Sequence, residues 1–435
     1  MSNTKEAITI FWFRRDLRLH DNAGLYRALK SGNPVLCLFI FDKNILDDLE
    51  NKEDARVTFI YDKVSELDQQ LKQHGSSLLV KYDDPIDAWK EILNEYNVKA
   101  VYTNKDYEPY AKQRDGQIGE LLNKTDIDFK LYKDQVIFDG EEVVKDDKKP
   151  YTVFTPYKNR WLKSLKPFYL KPYPTEKYFN AFYKTVSLKQ VTLEQMHFKR
   201  SKMEFPSTEY KDVIADYAKT RDYPAKPGTS HIGMHLRFGT VSIRELVTEA
   251  QKHEQTWLSE LVWREFYMMA LDFFPKTLHD AYRPAYDQIK WRNNEQEFKL
   301  WCEGKTGYPL VDAGMRELNA TGFMHNRVRM VTASFLIKHL LIDWRWGEQY
   351  FARILLDYEA SSNVGNWQWV AGSGTDTMPY FRIFNPDAQI KRFDAKMEYI
   401  KKWVPDYGTD QYPKPMIDNA EARARCLKVY KQAVA

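Results

Sequence analysis

The sequence predicts an α/β domain built on a doubly wound parallel sheet, then an all-helical domain, with a long linker between them. Three observations predict this order. Short apolar runs alternate with helical stretches up to about residue 130, prolines and charges crowd 131–205, and apolar residues recur at helical spacing from about 206. A chain of 435 residues is long enough for separate cores. We therefore expect an α/β domain at 1–130, a linker at 131–205 and a helical domain at 206–435.

Four short apolar runs in the first 130 residues suit buried parallel strands. They lie at 8–13, 35–41, 78–81 and 100–103. Longer stretches with helical spacing, such as 55–73 and 86–96, lie between them, and this alternation is typical of a doubly wound sheet. No GxGxxG turn follows the first run, which disfavours a nicotinamide enzyme. The residues found there instead are Arg14, Arg15, Asp16 and Arg18.

Prolines and charged residues crowd the segment that follows. Five prolines lie between 150 and 174, which favours a connecting segment laid across the surface. Between 151 and 200 there are ten Lys and Arg against two Glu, interleaved with Tyr, Phe and Trp. This local positive charge either contacts phosphates or belongs to a solvated linker, and composition leaves both interpretations open.

The second half of the chain has the spacing of helices. Apolar residues recur every three or four positions at 241–253, 257–273, 308–318 and 326–341. Thr240 and Ser242 precede the first of these stretches and are candidates for its N-cap. The pattern predicts a helical domain.

Composition narrows the class of protein. The net charge of +4 is too small by itself to argue for nucleic acid. The three cysteines are far apart and show no ligand-like spacing, so we expect no metal site and no disulfide framework. Neither a signal-peptide pattern nor a long uncharged apolar run is present. We expect a soluble, cytoplasmic protein that does not enter a membrane.

The segment 357–386 carries the most informative pattern in the chain. It places Asn363, Trp367 and Trp369 in one stretch predicted to be rich in loops, followed by Arg382. Two tryptophans around a single glutamine suit electron transfer through rings and stacking on a base. Upstream, the motifs ELVWREF, from Glu260, and GFMHNRVRM, at 322–330, complete the pattern.

These segments resemble the flavin and lesion site of the photolyase/cryptochrome family, most closely its class I members that repair cyclobutane pyrimidine dimers. KPYTVFTPYKNRW resembles the start of that family's linker, and the resemblance is strongest from 257 to 394. It implies an antenna-type first domain and a helical domain that binds FAD and the DNA lesion. The implied function is light-driven repair, in which photoexcited FADH⁻ gives one electron to a flipped-out dimer and regains it after the ring splits.

The resemblance implies a set of flavin contacts. They are Tyr217, Thr229, Ser230, His231, Ile232, Gly233, Trp257, Glu260, Arg264, Asn326, Arg329, Asp357, Glu359 and Asn363. The turn that opens at Gly228 offers hydroxyls and N–H groups to a pyrophosphate. Relatives usually have Ser where this chain has Gly233, so one hydroxyl is missing. A buried pair between Arg329 and Asp357 is expected beside the flavin ring.

Two asparagines in the same segment are informative. Asn363 is implied to face the reactive N5 edge of the flavin, where a neutral amide favours an anionic reduced flavin and repair over signalling. Asn366 stands where the family usually has Gly. It implies an altered loop backbone or an Asn in a left-handed conformation.

Three tryptophans match the family's electron path from the flavin to the surface. They are Trp367, Trp344 and Trp291, in the motifs NWQW, IDWRWGE and IKWRN. A chain of rings lets an electron hop where one long jump would be slow. Trp346 is additional to this triad, and the resemblance gives it no role.

The resemblance also implies lesion contacts, namely Trp263, Asn326, Arg327, Met330, Trp369 and Arg382. Trp263 and Trp369 would stack on the dimer. Glu260 would bond the carbonyl that gains charge with the electron, and the implied catalytic set is therefore Glu260, Asn363, Met330 and the triad. Asn326 and Met330 stand where enzymes for six-four photoproducts have two histidines, which disfavours that chemistry.

Some properties remain open at this stage. The segment 104–115 resembles the lining of the family's second chromophore site, with Glu108 as the expected contact, and a folate, a deazaflavin or neither would be consistent with it. A blue-light photoreceptor cryptochrome, including the DASH type, is the alternative function. A third alternative is a nucleic-acid-binding protein without catalysis. We expect a monomer that acts on UV-damaged DNA.

Overall fold

The computed structural model describes residues 5–434, and the chain forms two compact units. The first unit consists of the residues up to Asp139, together with Leu165–Thr208 and Met234–Glu249. The second unit takes Gly140–Ser164, Glu209–Gly233 and the chain from Ala250 onward. The domain limits at 130 and 205 stay predictions. Among the described helices, none is long and apolar enough to cross a membrane.

The first unit contains a parallel sheet of five strands in the order β3-β2-β1-β4-β5. The strands are β1 (Ala7–Phe13), β2 (Val35–Asp42), β3 (Leu79–Asp83), β4 (Asn97–Asn104) and β5 (Asp128–Tyr132). The four predicted strands are confirmed. The fifth was not predicted, because it is a partly exposed edge strand without a continuous apolar run.

Helices alternate with these strands, as the sequence predicts for a doubly wound sheet. They are α1 (Ala23–Leu29), α2 (Lys43–Leu46), α3 (Ala55–Gln73), α4 (Pro85–Glu95) and α5 (Pro109–Asn123). Acidic or amide side chains cap several of them. Asp54 accepts a hydrogen bond from the N–H of Arg56 at the start of α3, and Asp84 caps α4 in the same way.

Buried ion pairs occupy the loop that follows β1, where a dinucleotide enzyme has its glycine turn. Arg18 lies 2.6 Å from Asp134, and Arg244 contacts both Asp134 and Asp21. These charges are more than nine-tenths buried and pair with one another, as buried charges must. The loop is therefore shaped to hold charged side chains, and it lacks the close backbone approach that a pyrophosphate requires.

The rest of the described chain is mainly helical. The helices are α6 (Phe154–Ser164), α7 (Lys211–Ile214), α8 (Tyr217–Thr220), α9 (Gly233–Phe238), α10 (Ile243–His253), α11 (Gln255–Phe273), α12 (Glu295–Cys302), α13 (Pro309–Thr321), α14 (Asn326–Ser334), α15 (Trp344–Ile354), α16 (Ala360–Ala371), α17 (Pro386–Phe393), α18 (Glu398–Trp403) and α19 (Asn419–Val434). Short 3₁₀ turns lie at Gly140–Glu142, Pro167–Leu170, Thr175–Ala181, Pro275–Leu278 and Pro284–Gln288.

Three local expectations need correction. The stretch with Asn363, Trp367 and Trp369 is not a loop but helix α16. The helix expected at 326–341 ends at Ser334 and continues as a π-helical turn at Phe335–His339. Ser242 caps α10 by accepting hydrogen bonds from the amides of Arg244 and Glu245, whereas Thr240 bonds the ring of His235.

Candidate active site

A cleft of about 610 Å³ opens in the second unit, between α14, the C-terminal end of α15 and α16. Nine residues singled out from the sequence line it. They are Asn326, Arg329, Met330, Asp357, Glu359, Asn363, Asn366, Trp367 and Trp369. A concave site with a few convergent polar groups is the usual setting for a cofactor.

Helix caps aim these side chains into the cleft. The Nδ1 atom of His325 accepts a hydrogen bond from the amide of Arg327 and starts α14, so Asn326, Arg329 and Met330 lie within one turn. The buried carboxylate of Glu359 accepts from the amide of Ser362 at 3.1 Å and starts α16. Along α16, residues four apart share a face, which brings Asn363 and Trp367 to the same wall.

Arg329 and Asp357 form the expected pair, at 2.9 Å, although both side chains keep about a quarter of their exposure. The Nε atom of Arg329 also donates to the carbonyl of Met324 at 2.6 Å. The Oδ1 atom of Asp357 is buried and has no hydrogen-bond partner among the described residues. A buried carboxylate oxygen without a donor is costly, so a bound group with an N–H or O–H would satisfy it. The unsatisfied acceptor oxygen of Asp357 therefore fits a flavin, which offers such groups.

The turn predicted to hold phosphate comes close to the Arg329–Asp357 pair at Gly233. A Cβ atom at Gly233 would lie 3.1 Å from the Cβ of Asp357, so a serine there would crowd the carboxylate. Upstream, Thr229 Oγ1 lies 3.2 Å from Nε2 of His231, whose backbone is left-handed at φ 51°. The ring of His231 packs on Phe323 at 4.0 Å. Ser230 is half-buried and Ile232 is buried.

Asn363 is held by a residue that the sequence did not single out. Its Nδ2 atom donates to Oε1 of Glu348 at 2.9 Å, and also to that residue's backbone carbonyl. Burial raises the pKa of Glu348, while the hydrogen bond from Asn363 lowers it in part. With Nδ2 engaged, Oδ1 of Asn363 is the atom left for a bound group. Glu348 lies within the motif IDWRWGE, which also contains the triad residue Trp344. This position in the motif was the signal in the sequence by which Glu348 could have been found.

The expectation for Asn366 was wrong. This residue has neither a loop backbone nor a left-handed one, since it lies within α16. Its Nδ2 atom donates to the carbonyl of Ser362 at 2.8 Å, one turn earlier in the helix. Its Oδ1 atom accepts from the hydroxyl of Tyr267. Asn366 is therefore an ordinary helical residue whose side chain lines the cleft.

The remaining predicted residues lie outside the lining of the cleft. Glu260 pairs with Arg221, and burial raises the pKa of Glu260 in spite of this pair. The ring of Tyr217 lies under the Arg221 guanidinium.

Trp257 is buried against Tyr210, with ring centroids 5.4 Å apart, so in this structure it is a core residue. Arg264, Trp291, Trp344 and Arg382 also lie outside the lining.

Two predicted lesion contacts already have protein partners. Trp263 stacks on Phe154 with ring centroids 3.6 Å apart and planes 8° apart, so one face of the indole is covered. Arg327 pairs with Asp222 at 2.6 Å and lies over the ring of Phe393. Arg382, in contrast, is exposed.

The structure buries two of the three triad tryptophans and leaves the third partly exposed. Trp367 and Trp344 are 3% and 2% exposed, and Trp291 is half-buried. The ring of Trp367 packs onto α15 at Gly347, where a Cβ atom would lie 2.2 Å from its edge. The loop of Trp291 is bonded to the residues just before Trp344, because Arg292 donates its amide to the carbonyl of Leu341.

Comparison with known proteins agrees with this site. Residues 257–410 match the FAD binding domain of DNA photolyase, and residues 9–177 match the DNA photolyase domain. A deoxyribodipyrimidine photo-lyase from Synechococcus is 36% identical, over 97% of this chain and 96% of the relative. The crystal structure of a bacterial class III photolyase from Agrobacterium tumefaciens has a TM-score of 0.87 at 31% identity, covering 99% of this chain and 98% of the other. That of an archaeal photolyase from Sulfolobus tokodaii with two FAD molecules has a TM-score of 0.83 at 33% identity, covering 98% and 99%.

The parallel α/β unit, the helical unit and the cleft between α14 and α16 define a flavin-binding photolyase architecture. The chain belongs to the DNA photolyase family.

Proposed function

We propose that this chain is a deoxyribodipyrimidine photo-lyase that repairs cyclobutane pyrimidine dimers in UV-damaged DNA with light. Relatives that cover nearly the whole chain carry that name. The observation that carries the proposal is the cleft itself. It combines a flavin-side group, Asp357 and Asn363, with a lesion-side group, Asn326, Met330 and Trp369.

FAD, when bound in its reduced form, supplies the light-absorbing and electron-donating chemistry. Asp357 would accept a hydrogen bond from it through the unpartnered Oδ1 atom, and Arg329 holds that carboxylate in place. Asn363, fixed by Glu348, would present its amide oxygen to the cofactor edge. Gly233 leaves room for the turn at 229–233 to approach Asp357.

The lesion-side residues bind a dimer extruded from the duplex. Trp369 offers a ring for stacking, which contributes roughly 1–3 kcal/mol per base in single-strand binders. Met330 offers a polarizable thioether, and Asn326 an amide that can bond a pyrimidine edge. Glu260, with its raised pKa, would hold a proton near the carbonyl that gains charge, and Arg221 limits how far that pKa rises. Arg382 is free to meet a phosphate.

A photoreceptor cryptochrome with the same flavin is the second candidate function. The triad does not distinguish the two, since both use it. Asn363 and the lesion-side group Asn326, Met330 and Trp369 favour repair. A DASH-type protein would prefer single strands, so repair of the same dimer in single-stranded and duplex oligonucleotides separates that candidate from a duplex enzyme.

The first unit would carry a second chromophore if one is bound. Glu108, the expected contact, is already held by Arg15 at 2.9 Å and by Arg237. A folate, a deazaflavin or no antenna remain the alternatives for this chain, and the Sulfolobus relative is described with two FAD molecules. We propose that the protein acts as a monomer.

The test is selective binding of the lesion by variants of the cleft. Trp369→Ala and Met330→Ala should weaken binding to a dimer-containing duplex while undamaged-duplex binding and flavin content stay unchanged. Gln70→Ala, at an exposed residue of α3 outside the lining of the cleft, is the control. Equal affinity of Trp369→Ala and wild type for the lesion would contradict the lesion-side assignment.

A further inference from the structure

The cleft carries one exposed amide on each of two helices in its wall. Asn326 lies on α14 and Asn366 on α16, and both side chains belong to the lining. Each amide has an apolar neighbour one turn further along its helix, Met330 after Asn326 and Trp369 after Asn366. The two helices therefore offer the cleft the same pair of groups, although Asn366 was expected from the sequence only to alter the backbone.

Asn366 lies on the lesion side of α16. The flavin-side Asn363 shares its stripe of the helix with Trp367, four residues further on, whereas Asn366 shares the neighbouring stripe with Trp369. Asn366 is exposed and Asn363 is half-buried, so Asn366 lies nearer the mouth of the cleft. A base flipped out of a duplex enters through that mouth and meets Asn366 and Trp369 before it meets Asn363.

Half of the hydrogen-bonding capacity of the Asn366 amide is left for a ligand. Its Nδ2 atom donates one hydrogen to the carbonyl of Ser362 at 2.8 Å, and its Oδ1 atom accepts from the Tyr267 hydroxyl at 3.4 Å. The described part of the chain supplies no further partner, so Nδ2 keeps a second hydrogen and Oδ1 a second lone pair. One donor beside one acceptor is complementary to the Watson–Crick edge of a pyrimidine, which presents N3–H beside a carbonyl.

Tyr267 fixes which end of the Asn366 amide carries the oxygen. Its ring packs against Trp263, with centroids 5.4 Å apart, and against α16 at Gly365, where a Cβ atom would lie 2.2 Å from the ring. Burial raises the pKa of the Tyr267 hydroxyl well above its usual value, so this hydroxyl keeps its proton and donates. The oxygen of Asn366 is therefore directed by a held ring, and the amide is oriented before a lesion binds.

We propose that Asn366 binds the Watson–Crick edge of one pyrimidine of the dimer, with Nδ2 donating to a ring carbonyl and Oδ1 accepting from N3–H. Asn326 on α14 binds the corresponding edge of the other pyrimidine. The proposal rests on the proposed function, because the cleft must receive a flipped-out dimer. A dimer presents two such edges on one rigid body and a single flipped-out base presents one, so two amides make the cleft selective for the linked pair.

The experiment measures binding in the dark of the full, flavin-loaded chain to a duplex with one thymine dimer and to the same duplex undamaged. Asn366→Ala should bind the dimer about three- to tenfold more weakly, as expected for lost neutral hydrogen bonds, and the undamaged duplex equally well. Alanine favours the helix, so the fold is kept. Asn94→Ala, at an exposed asparagine of α4 outside the lining of the cleft, is the control.

The outcomes separate this proposal from the proposed function. Dimer binding by Asn366→Ala equal to that of wild type would overturn the role of Asn366. An altered flavin spectrum together with unchanged dimer binding would place Asn366 against the cofactor and would overturn it too. A wild type that binds dimer and undamaged duplex alike would instead contradict the proposed function.

Methylated lesions test which edge each amide binds. Two thymine dimers are prepared, each with a methyl group on N3 of only one of its two bases, and both should bind wild type more weakly than the plain dimer. Asn366→Ala should be insensitive to one of the two methyl groups and Asn326→Ala to the other. Any other pattern would contradict the division of the two edges between the two amides.

A double-mutant cycle tests the orienting role of Tyr267. Tyr267→Phe keeps the ring against Trp263 and removes only the hydroxyl. It should weaken dimer binding in the wild-type background and have no further effect in the Asn366→Ala background. An equal loss in both backgrounds would show that Tyr267 does not act through Asn366.

Discussion

Asn363 donates a hydrogen bond across 2.9 Å to the buried carboxyl of Glu348, and this bond ties α16, which lines the cleft, to α15. It fixes which end of the amide meets a bound group. Asn363 cannot rotate without leaving Glu348 with a buried, unsatisfied oxygen, a loss of about 1–3 kcal/mol. The orientation of Asn363 is therefore set by the fold before any cofactor binds.

Replacing Asn363 with Asp should change which flavin redox state accumulates under light. Two carboxyls would then face each other where the amide now bonds Glu348, and such a pair cannot ionise fully. The added negative charge disfavours an anionic reduced flavin. The measurement is the absorption spectrum during illumination. Asn94→Asp adds the same charge at an exposed residue of α4 outside the lining of the cleft and should behave as wild type. An unchanged spectrum in Asn363→Asp would refute its assignment to the N5 edge.

Glu348 should make stability depend on pH. Burial raises the pKa of its carboxyl in the folded state, so the folded protein binds the proton more tightly than the unfolded chain. Wild type should therefore lose stability relative to Glu348→Gln as pH rises from the ordinary glutamate value of about 4.3 through the raised pKa. Thermal unfolding of both proteins over this window measures the difference. A wild type that gains stability relative to Glu348→Gln as pH rises would contradict the burial argument.

Trp291→Phe should slow photoreduction of the oxidised protein and spare repair by protein reduced in advance. Trp291 is the half-buried end of the triad and lies outside the lining of the cleft. The two rates are measured on one preparation, before and after chemical reduction. Loss of repair by the reduced variant would show that the triad is misassigned.

Gly347→Ala should displace Trp367. The new Cβ atom would lie 2.2 Å from the Trp367 ring and 2.5 Å from Leu336, and overpacking of this kind costs about 1–3 kcal/mol. A lower melting temperature and slower photoreduction are expected together. Gly116→Ala is the control, since its Cβ would meet nothing within 4 Å on an exposed part of α5. Full photoreduction in Gly347→Ala would argue against Trp367 as the first donor.

Binding to damaged duplex should weaken steeply with salt, because lysines and arginines displace counterions from phosphates. Arg382→Ala should lower the slope of log K against log salt by about 0.9, the value for one phosphate contact on duplex DNA. Lys90→Ala, at an exposed lysine paired with Asp87 on α4, should leave it unchanged. A flat salt response of the wild type would remove the phosphate-contact argument.

Sequence patterns predicted the sheet and many site residues for identifiable reasons. Helix α3 was predicted with the bounds it has, because nineteen residues keep a helical period. Strand β5 was missed because an edge strand needs no apolar run. Helix α16 was read as loop because Ser, Asn and Gly are poor helix formers, and here Glu359 and burial of Trp367 outweigh that propensity.

The partners of the site residues were beyond the sequence. Motifs named Asn363, Glu260 and Arg327, but not Glu348, Arg221 and Asp222, which meet them through tertiary packing. The same holds for Phe154 beneath Trp263, which comes from a segment predicted to be linker. Period and spacing report on one helix at a time, so contacts between helices could not be read from them.

The most direct test of the central claim is reversal of a cyclobutane dimer in a damaged oligothymidine duplex by chemically reduced protein, with and without blue light. Light-driven repair predicts loss of dimers only in the illuminated sample, with the reduced flavin recovered at the end. A flavin-loaded protein that repairs no dimers under light would contradict the account and favour a photoreceptor.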